Sequence, residues 1–218
     1  MKRLVNFDFV DIAVSSRDII FCIESNGKLA FKHLDINTQI VTATTKGAYL
    51  STKFGSAFEK ITELIGDIFT CETARAADGS VYVAYPGGEI GCFGQDGSLI
   101  WTNYLLYDNC PAQGICYDKS GLWAAVPGRR SIILYNPSLN RITLRIGGAS
   151  STAFISPVSI YILENDIYIC DCDAMAIKKV NMENLTVSDF MLFNEKVYKY
   201  FCIGKKPFVI LDSGIYEL

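Results

Sequence analysis

The sequence predicts an all-β fold: a five-bladed propeller closed by its N-terminal strand, with one short helix inserted between blades one and two. Three observations lead there. Short β-rich runs alternate with turn tripeptides, apolar triplets recur at a near-constant interval, and the last repeat lacks a strand that the N-terminus can supply. The stretch from Cys71 to Trp101 shows the first plainly. Asp78-Gly79-Ser80, Pro86-Gly87-Gly88 and Asp96-Gly97-Ser98 are turn signals, and between them lie the strand-like runs Val81–Ala84 and Ile90–Phe93.

The triplets Ile20-Phe21-Cys22, Val81-Tyr82-Val83, Leu122-Trp123-Ala124, Ile167-Tyr168-Ile169 and Pro207-Phe208-Val209 are spaced by 61, 41, 45 and 40 residues. A period of roughly 40 to 45 is that of four-stranded propeller blades. Blade one then comprises Asp11–Ser15, Asp18–Glu24, Lys28–Leu34 and Thr38–Ala43. Blade two is built around the stretch just quoted. Blade three covers 114–146, turning at 118–121, 127–130 and 136–140, and blade four covers 157–193. Blade five offers Tyr198–Ile203, Phe208–Leu211 and Ile215–Leu218, and Lys2–Phe7 is its expected fourth strand, which removes two exposed sheet edges. Residues 1–218 are taken as one propeller domain.

The 61-residue interval holds something extra. In residues 55–69, Phe58, Ile61, Ile65 and Ile68 recur at helical spacing, and Ser56 with Glu59 resembles a capping box. A helix is expected there, serving as a strut, a lid or a docking surface.

Half the residues are hydrophobic and a fifth are charged, enough apolar content for a buried core and against disorder. A net charge of −3 argues against a nucleic-acid or acidic-membrane binder, since phosphate neutralisation needs a basic surface. The N-terminal stretch is interrupted by Asp8 and Asp11, so neither a signal peptide nor a membrane anchor is expected, and a reducing cytoplasm is the expected compartment. The eight cysteines form no C-x-x-C pair and read as buried free thiols.

In a propeller, the strand openings and the turns between second and third strands meet at one end of the central channel. The opening positions are Asp11, Glu72, Gln113, Ser159 and Lys199. The turns contribute Tyr85, Arg129, Arg130, Asp171, Asp173 and Asp212. Arg129-Arg130 reads as a solvated turn or as a pair of guanidinium forks for an anion. Asp171, Asp173 and Asp212 read as surface acids or as oxygen ligands for a hard cation, without any calcium-loop spacing. The lone histidine, His33, sits on a strand as a packed or outward residue, and no G-x-S-x-G elbow or phosphate-binding glycine loop occurs.

Gln113-Gly114-Ile115-Cys116-Tyr117-Asp118 leading into Leu122-Trp123-Ala124-Ala125 resembles NHL-type repeats, which read P-x-G-I-x-x-D before an apolar triplet. Asp78 to Ala84 is similar, and Pro111 and Pro157 open blades three and four. The likeness is shared with gluconolactonase-type propellers. It implies the propeller fold and, for the lactonase type, a metal held by acids and asparagines at the opening positions. Here those positions carry Glu72, Gln113, Ser159 and Lys199, and a lysine competes with a metal, so no cofactor is assigned. The expectation is a non-enzymatic binding module for a protein or a small polar or anionic ligand. A metal-dependent hydrolase or lactonase comes second and a carbohydrate-binding propeller third.

Overall fold

The computed structural model describes residues 1–6 and 9–218. Phe7, expected to end the closing strand, and Asp8 lie outside the described residues. The chain forms five four-stranded antiparallel sheets arranged as a five-bladed propeller. It opens with β1 (Lys2–Val5). Blade one follows as β2 (Asp11–Val14), β3 (Ile19–Ser25), β4 (Lys28–Leu34) and β5 (Val41–Thr44). Two helices come next, α1 (Lys46–Phe54) and α2 (Phe58–Leu64).

Blade two is β6 (Glu72–Arg75), β7 (Val81–Ala84), β8 (Glu89–Phe93) and β9 (Leu99–Tyr104). A small hairpin, β10 (Leu106–Tyr107) and β11 (Cys110–Pro111), leads to blade three. That blade is β12 (Ile115–Asp118), β13 (Gly121–Val126), β14 (Ser131–Asn136) and β15 (Arg141–Gly147). Blade four is β16 (Pro157–Leu163), β17 (Asp166–Asp171), β18 (Ala176–Asn181) and β19 (Val187–Leu192). Blade five contributes β20 (Val197–Ile203), β21 (Lys206–Leu211) and β22 (Gly214–Glu217), with β1 as its outermost strand.

Every apolar triplet that set the repeat lies on the second strand of its blade, β3, β7, β13, β17 or β21. The reason is burial on both faces. Side chains alternate sides along a strand, so neighbouring residues serve different inter-blade cores. Phe21 packs with Phe208 and Ile210 of blade five, whereas Ile20 packs toward Val81 and Val83 of blade two. Leu122 and Ala124 join Tyr82 and Ile90, while Trp123 and Ala125 join Ile160, Ile167 and Ile169. Between blades four and five, Tyr168 and Ile177 meet Tyr200 and Val209. Each fully buried large apolar side chain contributes about 1.5–3 kcal/mol, so these cores outweigh any single polar contact.

Two local differences from the sequence reading have clear causes. The last strand of blade one starts at Val41 rather than Thr38, because Asp35 Oδ1 accepts from the backbone N–H of Asn37 (2.8 Å) and Thr38 (3.0 Å) and holds 35–40 in a turn. The insertion holds two helices rather than one. α1 is capped by Thr45, whose hydroxyl accepts from Ala48 N–H at 3.1 Å, and ends at Gly55 with φ +89°. α2 spans only seven residues and is preceded by Ala57, with no side-chain cap, so Ser56 does not form the expected box. The apolar stripe is nevertheless real: Phe58, Ile61, Ile65 and Ile68 all enter one core with Tyr49, Leu50 and Phe54 of α1.

Blade five is closed as expected. β1 pairs antiparallel with β22, Lys2 opposite Glu217, Arg3 opposite Tyr216 and Val5 opposite Ile215. Gly214 opens β22 at φ +139°, and a Cβ there would land on the Val5 carbonyl oxygen. Gly214→Ala should therefore cost at least about 2 kcal/mol through backbone strain and loss of the closing ladder. Removing residues 1–5 should be worse. Urea unfolding midpoints test both, and wild-type midpoints for either variant would contradict the closure.

Candidate functional site

The inner strands β2, β6, β12, β16 and β20 surround the channel. Their opening residues Asp11, Glu72 and Lys199 bring charge to its mouth. Asp11 on β2 is the hub: its Oδ1 accepts from Ile12 N–H at 2.7 Å, and its Oδ2 accepts from the Tyr49 hydroxyl and from Lys53 Nζ. Lys53 also donates to the Ile68 carbonyl at 2.8 Å and is buried, with a side chain 4% exposed. A lysine this deep is tolerated because its charge meets a carboxylate and its remaining protons meet backbone carbonyls.

On the neighbouring strands Lys199 Nζ donates to Glu72 Oε2 at 3.0 Å, with both side chains partly open to the channel. Two acids and two lysines thus stand together, and their charges cancel. A cleft of about 340 Å³ opens above them, lined by Val10, Asp11, Glu72, Tyr198, Lys199 and Asp212. It continues into a channel of about 250 Å³ past Glu72, Gly114, Ser159 and Lys199 toward Tyr117 and Tyr161. Gly114 is required there: its N–H donates to the Val158 carbonyl at 3.1 Å, and any side chain would collide with β16.

The titration behaviour follows from these contacts. Burial raises the Asp11 carboxyl, with Lys53 and Tyr49 pulling the other way. Burial and the Asp11 charge drive the Tyr49 hydroxyl far upward. For Glu72, burial favours the neutral acid, but the charge and hydrogen bond of Lys199 outweigh it and lower its pKa. Lys199 is raised, burial being overcome by Glu72. The thiols nearby are inert: burial pushes Cys71 up to about 11 and Cys170, beneath Ser159, up to about 12.

Of the residues singled out from sequence, Glu72, Ser159, Lys199 and Asp212 come together at this end, with Asp11. Asp212 accepts from the Tyr198 hydroxyl at 2.6 Å. Asp173 stands nearby, paired with Lys196 at 3.2 Å. Gln113 is exposed and lines neither the mouth nor the channel. Asp171 does not face the channel; fully buried, it accepts from the backbone N–H groups of Ile155 (2.9 Å) and Ser156 (2.6 Å), which holds the connection into blade four.

The two arginines do not act as a pair. Arg129 donates to the Asp108 carbonyl at 2.7 Å, while Arg130, in a left-handed conformation, donates to the Phe154 carbonyl at 2.9 Å. Each ties down a different loop. Tyr85 lies on the flank of blade two, away from the mouth. His33 bonds Asp18 at 3.1 Å on the strands of blade one. Among the described residues no three His, Cys, Asp or Glu side chains are placed to hold a metal ion.

Lys53 and Tyr49 were missed from sequence because α1 itself was not foreseen. Its buried positions, Tyr49, Leu50, Lys53 and Phe54, do follow helical spacing, but a lysine interrupts the apolar stripe. The i, i+4 pairs Tyr49/Lys53 and Leu50/Phe54 were the available signal.

No protein-family model matches the chain, and no curated protein matches it. Solved structures do. A catalytically inactive virginiamycin B lyase from Staphylococcus aureus with quinupristin is 14% identical, with a TM-score of 0.54, and the match covers 94% of this chain and 63% of the lyase. Sqt1 from Saccharomyces cerevisiae is 11% identical at a TM-score of 0.53, covering 93% and 69% of the two chains. The RRP9 WD40 repeats are 9% identical at 0.54, covering 95% and 59%. The chain therefore spans less than two thirds of the lyase's length. At these identities the likeness shows the propeller fold.

Lys53→Met should destabilise by about 3–5 kcal/mol, since it strands a buried carboxylate, and adding Asp11→Asn should restore much of that. A double-mutant cycle on urea midpoints checks this; a Lys53→Met cost below about 1 kcal/mol would mean that the pair is not buried in solution. The Glu72–Lys199 pair predicts a pH window. Lowering of Glu72 stabilises above its ordinary 4.5 and is lost as pH falls through the depressed value, while raising of Lys199 stabilises below its ordinary 10.5 and is lost above the raised one. Glu72→Gln should flatten the wild-type loss of stability on the acid side, measured as thermal midpoint against pH.

Proposed function

We propose that this propeller is a binding module whose ligand surface is the channel mouth, and that it takes a small polar ligand or a polar segment of a partner protein. The arrangement that carries the reading is the pairing of the four mouth charges, Lys53 with Asp11 and Lys199 with Glu72. A general base needs a free lone pair within reach of a proton donor and a pKa near the working pH. Here each carboxylate is occupied by an ammonium, and Lys199 stands where acids would otherwise gather around a metal. That places the metal-dependent hydrolase or lactonase reading second. The rim adds recognition: Tyr198 is 41% exposed beside Asp212, and Val10 is 46% exposed. A half-exposed phenol next to a carboxylate offers one apolar face and one hydrogen-bonding edge.

The fold supports this reading, since the mouth gathers side chains distant in sequence onto a rigid frame. The chain's compartment, on the same reading, is the reducing cytoplasm, supported by eight cysteines that remain free thiols, five of them buried.

A thermal-shift panel of amino acids, sugars, sugar phosphates and lactones tests the proposal. A ligand that raises the wild-type midpoint should lose at least about half of its shift in Tyr198→Ala/Asp212→Asn, a variant whose own midpoint stays within about 1 °C because both groups are at the surface. A shift that survives the double variant would move the site elsewhere. Lactone hydrolysis that a chelator stops would replace the binder with the enzyme.

A further inference from the structure

A second cavity, unrelated to the channel, lies where the helices meet blade two. α2 ends at Leu64, and Ile65 continues in extended conformation, at φ −105° and ψ 139°. Asp67 then turns the chain back: its Oδ1 accepts from Phe69 N–H at 2.8 Å and its Oδ2 from the Thr70 hydroxyl at 3.0 Å. The helical insertion therefore covers only part of the β8–β9 face. What remains is a cleft of about 660 Å³ lined by Leu64, Asp67, Tyr85, Glu89, Phe93 and Tyr104. Its floor is Gly91, flanked by the Phe93 ring and by Thr102, its partner in the ladder.

The lining chemistry is one-sided. Two carboxylates and three aromatic rings face the space, and no lysine or arginine lines it. Glu89 Oε1 accepts from the Tyr104 hydroxyl at 2.9 Å, and no other partner of the carboxylate is found among the described residues. The Tyr85 hydroxyl likewise makes no hydrogen bond among the described residues. Asp67 is held below its ordinary carboxylate range by the Phe69 N–H, so it is charged at neutral pH. Glu89 and Tyr104 are exposed, and their substitution leaves the core untouched.

We propose that this cleft binds an organic cation, an ammonium or guanidinium group carried on a carbon chain. Glu89 and Asp67 neutralise the charge, and the rings of Tyr85 and Tyr104 flank it, as cations prefer electron-rich ring faces and charge-assisted hydrogen bonds. The volume falls in the range of small-ligand sites, well beyond that of a bare metal ion. The chemistry fits two sources, a free amine such as agmatine or an arginine side chain of a peptide.

Isothermal calorimetry at low salt with agmatine, and separately with a blocked arginine-containing tripeptide, tests the proposal. At least one should bind with a Kd of about 1 mM or tighter. Glu89→Gln and Tyr104→Ala should each weaken that binding by about fivefold or more with unchanged thermal midpoints, and raising the salt to about 0.5 M should weaken it further. A peptide about tenfold tighter than agmatine would assign the site to a protein partner; the reverse order would assign it to a free amine. Tyr198→Ala/Asp212→Asn should leave this binding intact, so the fate of the channel-mouth reading does not decide it. No heat with either probe at about 10 mM, equal affinity in Glu89→Gln, or tighter binding of glucose than of both cations would overturn the proposal.

Discussion

The antiparallel ladder between β1 and β22 is the constraint from which the remaining geometry follows. Four of the five blades are continuous in sequence, each an up-and-down meander, and contacts between neighbours would by themselves permit an open arc. Pairing residues 2–5 with 215–217 turns the arc into a ring. It also brings Val5 into the core that Phe21, Phe208 and Ile210 share, so the last seam becomes as apolar as the others. Gly214 opens β22 against Val5, and the absence of a Cβ there is what lets the Val5 carbonyl approach. Once the ring is closed, the starts of five inner strands are held around one axis.

That axis explains why a buried lysine is present. The gap between blades one and two is filled by α1 and α2, whose Tyr49, Leu50, Phe54 and Ile61 do the work that a facing strand does elsewhere. α1 also brings Lys53 to the mouth, where Asp11 needs a counter-charge once the helices have excluded water from it. The Asp11–Lys53 pair is therefore a consequence of the insertion rather than of the propeller repeat, and it leaves Lys199 to satisfy Glu72. The same insertion ends too early to cover all of β8 and β9, and the acidic, aromatic cleft on that flank is the uncovered remainder. One departure from the repeat thus shapes both concavities.

Residues that carry charge in turns divide by what the surrounding backbone lacks. Asp171 is fully buried and serves the N–H groups of Ile155 and Ser156, and Arg129 and Arg130 each serve a carbonyl of an adjacent loop. Loop polar groups near a compact core must be satisfied by something, and here side chains that resemble ligand-binding residues do it. The side chains of Asp212 and Tyr198, bonded to each other at the surface, are left to face solvent.

The five repeats, the positions of their second strands and the donation of the first strand to the last blade were legible in the sequence. Each depends on local signals: turn residues at fixed offsets, continuous apolar runs buried on both faces, and a strand count that falls one short. The channel-opening residues Asp11, Glu72, Ser159 and Lys199 followed from the same register. The first helix, α1, was not legible, because its buried face includes Lys53 and reads as polar until Asp11 is seen beside it. Nor did the turn sequences say which acids and arginines face the channel, since that depends on which backbone groups in a loop lack partners after folding. Strand order came from patterns within the chain; charge pairing and cleft formation came from contacts between segments far apart in it, which only the closed ring brings together.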